Sequence, residues 1–295
     1  MEKKIRRVLV LANYEKAAVR ELAAELEPWL ASRVDSVRLE ADILAFCRAR
    51  EEAPKKRRES FDLVVVLGGD GAILGAVRAF AEDPVPTLGI NLGRVGFLAS
   101  IPAKRWRVTL ESVLEGGGVL EHRVRLRARW RSAGGAQESG VALNDLVLLR
   151  GARHGMLTLA LRVGSTWVTD YRADGVIVAT PSGSTAYSLS AGGPILEPSV
   201  DALVVTPIGS QGLANRPIVL PGTAELSLEV VASSGETTLA IDGQTYHPLK
   251  KGDVVEVASH PDTYPLYALP DLDPYRRLRE RLGWGGTNPA AREPD

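Results

Sequence analysis

The chain has 295 residues, 45% of them hydrophobic and 24% charged, the composition of an ordinary globular protein long enough for two hydrophobic cores. Its 36 Lys and Arg balance 36 Asp and Glu, so no global charge favours DNA, RNA or an anionic membrane surface, and small molecules are the expected partners. A single cysteine, Cys47, excludes an internal disulfide framework, and the charged Met1–Arg7 precedes only a strand-length apolar stretch, so a reduced, cytoplasmic setting without a membrane anchor is expected.

In chain order, Val8 to Ala12 reads as a strand, and Lys16 to Leu30 as an amphipathic helix with Val19, Leu22, Ala23 and Leu26 on one face. A second strand at Val37 to Leu39 and a helix at Ile43 to Arg50 follow. The basic run Lys55-Lys56-Arg57-Arg58 reads as a solvated loop, with a role in gathering a polyanion as the alternative. Leu63 to Leu67 is a continuous apolar run, as a strand buried on both faces requires, and helical spacing resumes at Ile73, Leu74, Val77 and Phe80. Thr87 to Asn91 is a further short strand, running into Leu92-Gly93-Arg94-Val95-Gly96-Phe97-Leu98. Alternating strands and helices predict an open, mostly parallel sheet with ligands at the carboxyl ends of its strands, where Asp70 and Asn91 both fall.

Between the Leu63 strand and its helix stands Gly68-Gly69-Asp70-Gly71. The glycines are expected to adopt positive φ and to let a ligand approach, while the helix N-terminus offers N–H groups to an anion. Asp70 is out of place in a plain phosphate cradle, because two anions repel in a low-dielectric site. It either takes a proton from a hydroxyl about to be phosphorylated, holds Mg²⁺ on a phosphate chain, or merely caps the helix. The loop lacks the Lys-Ser/Thr ending of a Walker A motif and misses the dinucleotide fingerprint by one residue.

From about Ile101 the pattern changes. A short helix closes at Glu111 to Glu115, and Gly116-Gly117-Gly118 breaks it. Alternation at Arg123 to Arg131 then opens a series of strands: Ala142–Leu149, Leu157–Val163, Thr166–Thr169, Val176–Thr180, Ala202–Thr206, Ile218–Leu220, Glu225–Val231, Thr237–Ile241 and Asp253–Ala258. A helix at Pro274 to Leu282 is expected to return to the first domain, ahead of a flexible tail over 285–295. The expected division is an α/β domain over 1–103, to which 270–284 returns, and a β-rich, sandwich-like domain over 104–269.

Two stretches of this second half carry chemistry. Thr180-Pro181-Ser182-Gly183-Ser184-Thr185-Ala186-Tyr187-Ser188-Leu189-Ser190 holds more hydroxyls than one helix cap needs, and such groups hydrogen-bond a ribose, carboxamide or phosphate without adding charge; ordinary turn chemistry is the alternative. Asn144-Asp145 interrupts an apolar run, either as a polar pair that binds something or as a bulge or turn at a sheet edge.

Gly68-Gly69-Asp70-Gly71, Asn91 with Gly93 and Gly96-Phe97-Leu98, Asn144-Asp145, Asp174-Gly175 and the hydroxyl block through Gly192-Gly193-Pro194 resemble, in order and spacing, the NAD kinases, which use ATP or polyphosphate to make NADP. The resemblance continues through Asp242-Gly243-Gln244 to Leu278–Trp284, nearly the whole chain. It implies Mg²⁺ or another divalent cation and a homo-oligomer, dimer or tetramer. It makes Asp70 the base at the 2′-hydroxyl of the adenosine ribose, with Gly71 and Leu74 beside it, Phe97 at the adenine pocket, and Gly68, Gly69 and Gly71 in the donor-phosphate loop. Asn144 and Asp145 resemble the ribose-binding pair. Asp174, Thr185, Ala186, Tyr187 and Ser190 resemble the adenine and nicotinamide contacts, some reaching a neighbouring subunit, and Arg172 and Gln244 join the NAD-binding set. Ala72 stands where the family commonly has Thr, Asp145 where Glu is commoner and Ser182 where Thr is, and Gly209-Ser210-Gln211-Gly212-Leu213 lacks the His often found there. A lipid kinase sharing the glycine loop and a non-catalytic NAD(P) sensor are the competing readings; Asn144-Asp145 argues against the first and the presence of Asp70 against the second.

Overall fold

The structure is a computed structural model that describes residues 4–93, 96–131, 135, 137–151, 155–212, 214–269 and 274–284. The chain divides into two compact units, Met1–Glu121 with Pro265–Asp295, and His122–Tyr264. Arg94, Val95, Leu213 and the expected tail over 285–295 lie outside the described residues.

In the first unit, β1 (Arg7–Ala12), α1 (Ala17–Ala31), β2 (Ser36–Glu40), α2 (Ile43–Glu52), β3 (Leu63–Leu67), α3 (Asp70–Ala79) and β4 (Thr87–Asn91) alternate as expected. They are followed by β5 (Ile101–Pro102), α4 (Trp106–Leu114) and β6 (Val119–Arg123). β2, β1, β3 and β4 lie side by side, and β1 pairs in parallel with β2 and β3, as β3 does with β4. Every residue of β3 and β4 is buried, which is why β3 runs apolar instead of alternating. Val8, Val10, Leu63, Val65, Leu88 and Ile90 face one core together with Val19, Leu22, Ala23, Leu26 and Leu30 of α1. Asp42 caps α2, accepting the Ala45 N–H at 3.0 Å. Cys47 is buried on α2, its thiol donating to the Gly75 carbonyl at 3.2 Å, and burial pushes the thiol up to about 12, so it is packing and not chemistry. Lys55, Lys56 and Arg57 of the basic run are exposed and Arg58 is half-buried; Lys55 pairs with Asp83 and Arg58 with Glu82.

The second unit contains β7 (Leu126–Arg131), β8 (Gln137–Ala142), β9 (Asp145–Arg150), β10 (Leu157–Val163), β11 (Thr166–Ala173), β12 (Gly175–Ala179), the one-turn α5 (Tyr187–Ser190), β13 (Ala202–Ile208), β14 (Ile218–Pro221), β15 (Leu226–Ser233), β16 (Thr237–Ile241), β17 (Thr245–Leu249) and β18 (Val254–Ser259). It is an antiparallel sandwich of two six-stranded sheets, β11-β10-β15-β18-β7-β8 and β14-β13-β12-β9-β16-β17. Leu126, Trp130, Leu148, Leu159, Val176, Leu203, Leu228 and Val257 fill the space between the sheets. The second sheet is buried on its other face too, where Ala191 and Leu196 pack on Val147, Ile177 and Val204. The chain then forms β19 (Tyr264–Ala268), parallel to β4, and α6 (Pro274–Leu282).

The first unit runs past the expected boundary at 103 because α4 puts Trp106, Leu110 and Val113 into the α1-side core, with the Trp106 ring edge-on to Trp29 at 5.3 Å between centroids. Its return begins at Pro265 instead of 270 because β19 completes its sheet beside β4. Among the described residues no helix is long and apolar enough to cross a membrane. Trp106→Ala is expected to destabilise the protein by about 3–5 kcal/mol in urea denaturation, the cost of emptying a large aromatic site; a loss below about 1 kcal/mol would mean α4 adds little to this core.

Candidate functional site

The strand ends of the first unit carry the expected acid. Gly69 is the N-cap of α3 and Asp70 its first residue, but the carboxylate turns away from its own helix. Asp70 Oδ2 accepts the Phe97 N–H at 2.9 Å, and Oδ1 accepts those of Leu98 at 3.1 Å and Ala99 at 2.8 Å. The capping alternative is thereby replaced by a cradle made from the loop after β4. A carboxylate has about four lone-pair sites, so among the described residues these three N–H groups leave one, on Oδ2. Gly96 must be glycine, because a Cβ there would stand 1.9 Å from Asp70 Oδ1. The glycines of the Gly68–Gly71 turn correct the expectation of positive φ, since none of them adopts it. A Cβ on Gly69 or Gly71 would meet nothing within 4 Å, so these two keep space open, whereas one on Gly68 would press on Ala72 at 2.8 Å.

Two cavities flank this turn. One of about 310 Å³ is lined by Lys16, Gly68, Gly69, Asp70, Asn91, Gly93, Gly96 and Arg281. The other, about 760 Å³, is lined by Asn13, Tyr14, Glu15, Lys16, Asp42, Gly69, Gly71 and Ala72 among others. Both lie where β1, β3 or β4 end, the expected place for a ligand of an open parallel sheet. Leu74 is buried on α3 and Phe97 is half-buried. α6 holds the same loop, for buried Arg277 donates to the Phe97 carbonyl at 3.0 Å and Arg281 lies over the Phe97 ring, 5.8 Å from its centroid.

In the second unit, Leu143 and Asn144 are the corner at which the chain leaves one sheet, at the end of β8, and enters the other at β9. Asp145 is therefore not at a sheet edge, since β9 lies between β12 and β16. Asp242, whose φ of 50° is left-handed, holds the corner: its carboxylate accepts the N–H groups of Leu143 at 2.8 Å, Asn144 at 2.7 Å and Asp145 at 3.0 Å. From the other side Thr180 donates its N–H to the Asn144 carbonyl at 2.9 Å and its hydroxyl to the Leu143 carbonyl at 2.6 Å. Gly183 must be bare here, because a Cβ would stand 1.9 Å from the Asn144 carbonyl oxygen.

Asp145 is buried, and the Tyr187 backbone N–H favours its charged form. Asn144 Oδ1 is a buried acceptor with no hydrogen-bond partner among the described residues. This corner gathers Asn144, Asp145 and the turn bearing Thr185, Ala186 and Tyr187, while Gln244 follows Asp242 in its turn.

The hydroxyl block divides between the two readings left open for it. Thr180, Ser184 and Thr185 donate to backbone carbonyls, and Ser188 pairs with the Thr206 hydroxyl at 2.8 Å, so these serve the turn. Tyr187 and Ser190 stay exposed. α5 has Ala186 at its N-cap without a side-chain bond, and it is Thr180 Oγ1 that accepts the Gly183 N–H of the preceding turn, at 3.0 Å.

Arg172 and Asp174 stand apart from that group. Ala179 of β12 pairs with Asp145 while Gly175 pairs with Leu149, so Asp174 lies at the far end of β12, about 17 Å away at ~3.3 Å per residue. There Asp174 pairs with Arg150, and a Cβ on Gly209, whose φ is 56°, would stand 2.6 Å from its carboxylate. A further cavity of about 390 Å³, lined by Arg127, Arg129, Glu225 and Glu256 of the first sandwich sheet, contains none of the expected site residues.

Sequence reasoning missed Asp242 as the holder of the corner, and Lys16, Arg277 and Arg281 around Asp70. Asp242 had a signal, since an acid followed by Gly at a strand end marks a left-handed turn; Arg281 lay within the Leu278–Trp284 stretch of the resemblance but without a role, and Lys16 and Arg277 had no signal.

The comparisons agree with this layout. Residues 2–118 match the ATP-NAD kinase N-terminal domain and 143–269 the ATP-NAD kinase C-terminal domain. An NAD kinase of Symbiobacterium thermophilum is 47% identical over 221 residues, 75% of this chain and 78% of that protein. Yeast NADH kinase complexed with NADH superposes with a TM-score of 0.84 at 28% identity, covering 97% of this chain and 90% of that one. An NAD kinase from Archaeoglobus fulgidus in complex with ATP gives 0.73 at 25% identity, covering 96% and 100%. With both halves matched and the α/β unit and the β-sandwich each in place, the chain belongs to the ATP-NAD kinase family.

Proposed function

We infer that the chain transfers the γ-phosphoryl group of ATP, or the terminal one of inorganic polyphosphate, to the 2′-hydroxyl of the adenosine ribose of NAD, giving NADP. The observation that carries this reading is the Asp70 cradle at the strand ends, which fixes a carboxylate beside an open glycine turn and leaves one acceptor site on Oδ2. The 2′-hydroxyl proton goes to that site as the 2′-oxygen bonds to phosphorus. The bond from phosphorus to the bridging oxygen breaks, and ADP leaves with its electron pair. Because this reaction is mainly positioning and charge stabilisation, a held carboxylate suits it better than a mobile one.

For a divalent cation the first unit offers Asn91, whose Oδ1 already accepts the Gly93 N–H at 2.7 Å, since the remaining acceptor site of Asp70 is used by the hydroxyl proton, and among the described residues no group of three acids, His or Cys could hold a metal. That donor set fits Mg²⁺ carried mainly on the donor's phosphate oxygens, where it supplies charge neutralisation. Asn144 Oδ1 and Asp145 are the groups for ribose hydroxyls, and the unpartnered Oδ1 supports that role. The position of Asp174 at the far end of β12, with Arg172 just before it on β11, supports a dimer or tetramer in which one copy offers them to its neighbour's nucleotide.

Burial first, then the Asp242 charge, push the Asp145 carboxyl up to about 7, against a smaller opposing pull from the Tyr187 N–H. Its folded value lies above the unfolded one of about 4, so stability from this proton is complete below about 4 and lost as pH rises through about 7. Carbon-13 NMR of the aspartate carboxyls is expected to show Asp145 titrating near neutrality, and Asp242→Asn to move it to lower pH; ordinary carboxylate titration in the unchanged chain would contradict this.

With Mg²⁺ and ATP the purified chain is expected to convert NAD to NADP. Asp70→Asn should lower turnover by about 10²–10⁴-fold with the fold kept, the amide nitrogen now facing an N–H of the cradle. Turnover retained within a few-fold in that variant would remove the proposed base.

A further inference from the structure

Basic side chains of the first unit commonly meet an acid: Arg38 pairs with Glu40 and Glu59, Arg58 with Glu82 and Arg78 with Glu51. Lys16 and Arg281 do not. Among the described residues neither has an ion-pair partner or a side-chain hydrogen bond, and both line the cavity that contains Asp70 and the Gly68–Gly69 turn. Lys16 precedes α1, and Arg281 stands on the last turn of α6. Two cations from opposite ends of the sequence therefore flank one glycine turn without a counter-ion.

Arg281 is also fixed in place. Arg277, one helical turn earlier, is buried, donates to the Phe97 carbonyl at 3.0 Å and lies 3.8 Å from a Glu121 carboxylate oxygen. Arg281 follows it onto the Phe97 ring. The loop that cradles Asp70 through its amides is thus gripped by α6 through its carbonyl and its ring. Charge completes the argument, because Asp70 repels any polyanion entering this cavity and two unpaired cations outweigh it.

We propose that Arg281 and Lys16 are the phosphate clamp of the donor, holding its terminal phosphates over the Gly68–Gly69 turn while Asp70 faces the acceptor. This rests on the reading of the chain as an NAD kinase. The planar guanidinium gives a two-point grip on phosphate and Lys16 a point charge. The ligand class is a linear polyphosphate, free or as the tail of a nucleotide, because the named groups recognise phosphate and not a base.

The test uses the full chain with Arg281→Gln, Arg281→Lys and Lys16→Gln, the last lying outside α6 should its substitution loosen the helix. Calorimetry with inorganic tripolyphosphate, with and without Mg²⁺, is paired with KM measurements for ATP and NAD. Arg281→Gln and Lys16→Gln are each expected to weaken tripolyphosphate binding and raise the KM for ATP by about tenfold, the loss of one charge-assisted contact, with the KM for NAD and the thermal midpoint unchanged. Arg281→Lys should recover part of the loss. Unchanged tripolyphosphate binding in both Gln variants overturns the clamp, and so does a rise in the KM for ATP with tripolyphosphate unaffected, which would put these side chains on the nucleoside. An unchanged chain that forms no NADP overturns the functional reading instead, and the calorimetry still decides the clamp.

Discussion

Three backbone N–H groups on one carboxylate are the constraint around which the first unit's site is arranged. Asp70 joins the start of α3 to the loop after β4, so the ends of β3 and β4 are tied by a side chain as well as by the sheet. The bond set demands a residue without Cβ at Gly96, and it presents Phe97 to α6. Remove the carboxylate and the loop loses three acceptors; remove the loop and the carboxylate loses its direction. A group that must meet a hydroxyl within a few tenths of an ångström gains from being over-determined in this way.

The second unit uses the same device at a different place. Asp242 accepts three N–H groups from the corner where the chain crosses between sheets, and so presents Asn144 and Asp145 from a fixed backbone. Here the acid also acts at a distance, since its charge helps to keep the Asp145 proton on near neutrality. In both units a carboxylate orders the amides of a turn and an acceptor is left over among the described residues: one site on Asp70 itself in the first, the Oδ1 of Asn144 in the ordered corner of the second.

Much of this was legible in the sequence wherever one residue type had one physical reading. Continuous apolar runs gave β1 and β3, alternation gave β7, and the glycine turn with its acid pointed to phosphate chemistry. The elements that escaped were β5, β6, β8, β17 and β19, which are short, polar or interrupted by Pro, as in Thr245–Leu249 and Tyr264–Ala268, and which exist because neighbouring strands complete them. The glycines of the turn were read as positive-φ residues, but their use is room, a property of what surrounds them and not of the tetrapeptide. Hydroxyl density was likewise ambiguous, since Thr180 and Ser184 serve the turn while Ser190 stays exposed. Distance along a strand was invisible too, since nothing in the sequence shows that β12 sets Asp174 at the opposite strand end from Asp145.

The central claim is that the cradle, and not the mere presence of an acid, makes Asp70 competent. Single-turnover phosphoryl transfer from ATP to NAD by Gly96→Ala tests it most directly, because the added methyl group would overlap Asp70 Oδ1 while leaving the carboxylate chemically intact. The account predicts a chemical step slowed by about 10²-fold or more, with the overall fold retained by circular dichroism. Transfer at the rate of the unchanged chain would contradict it.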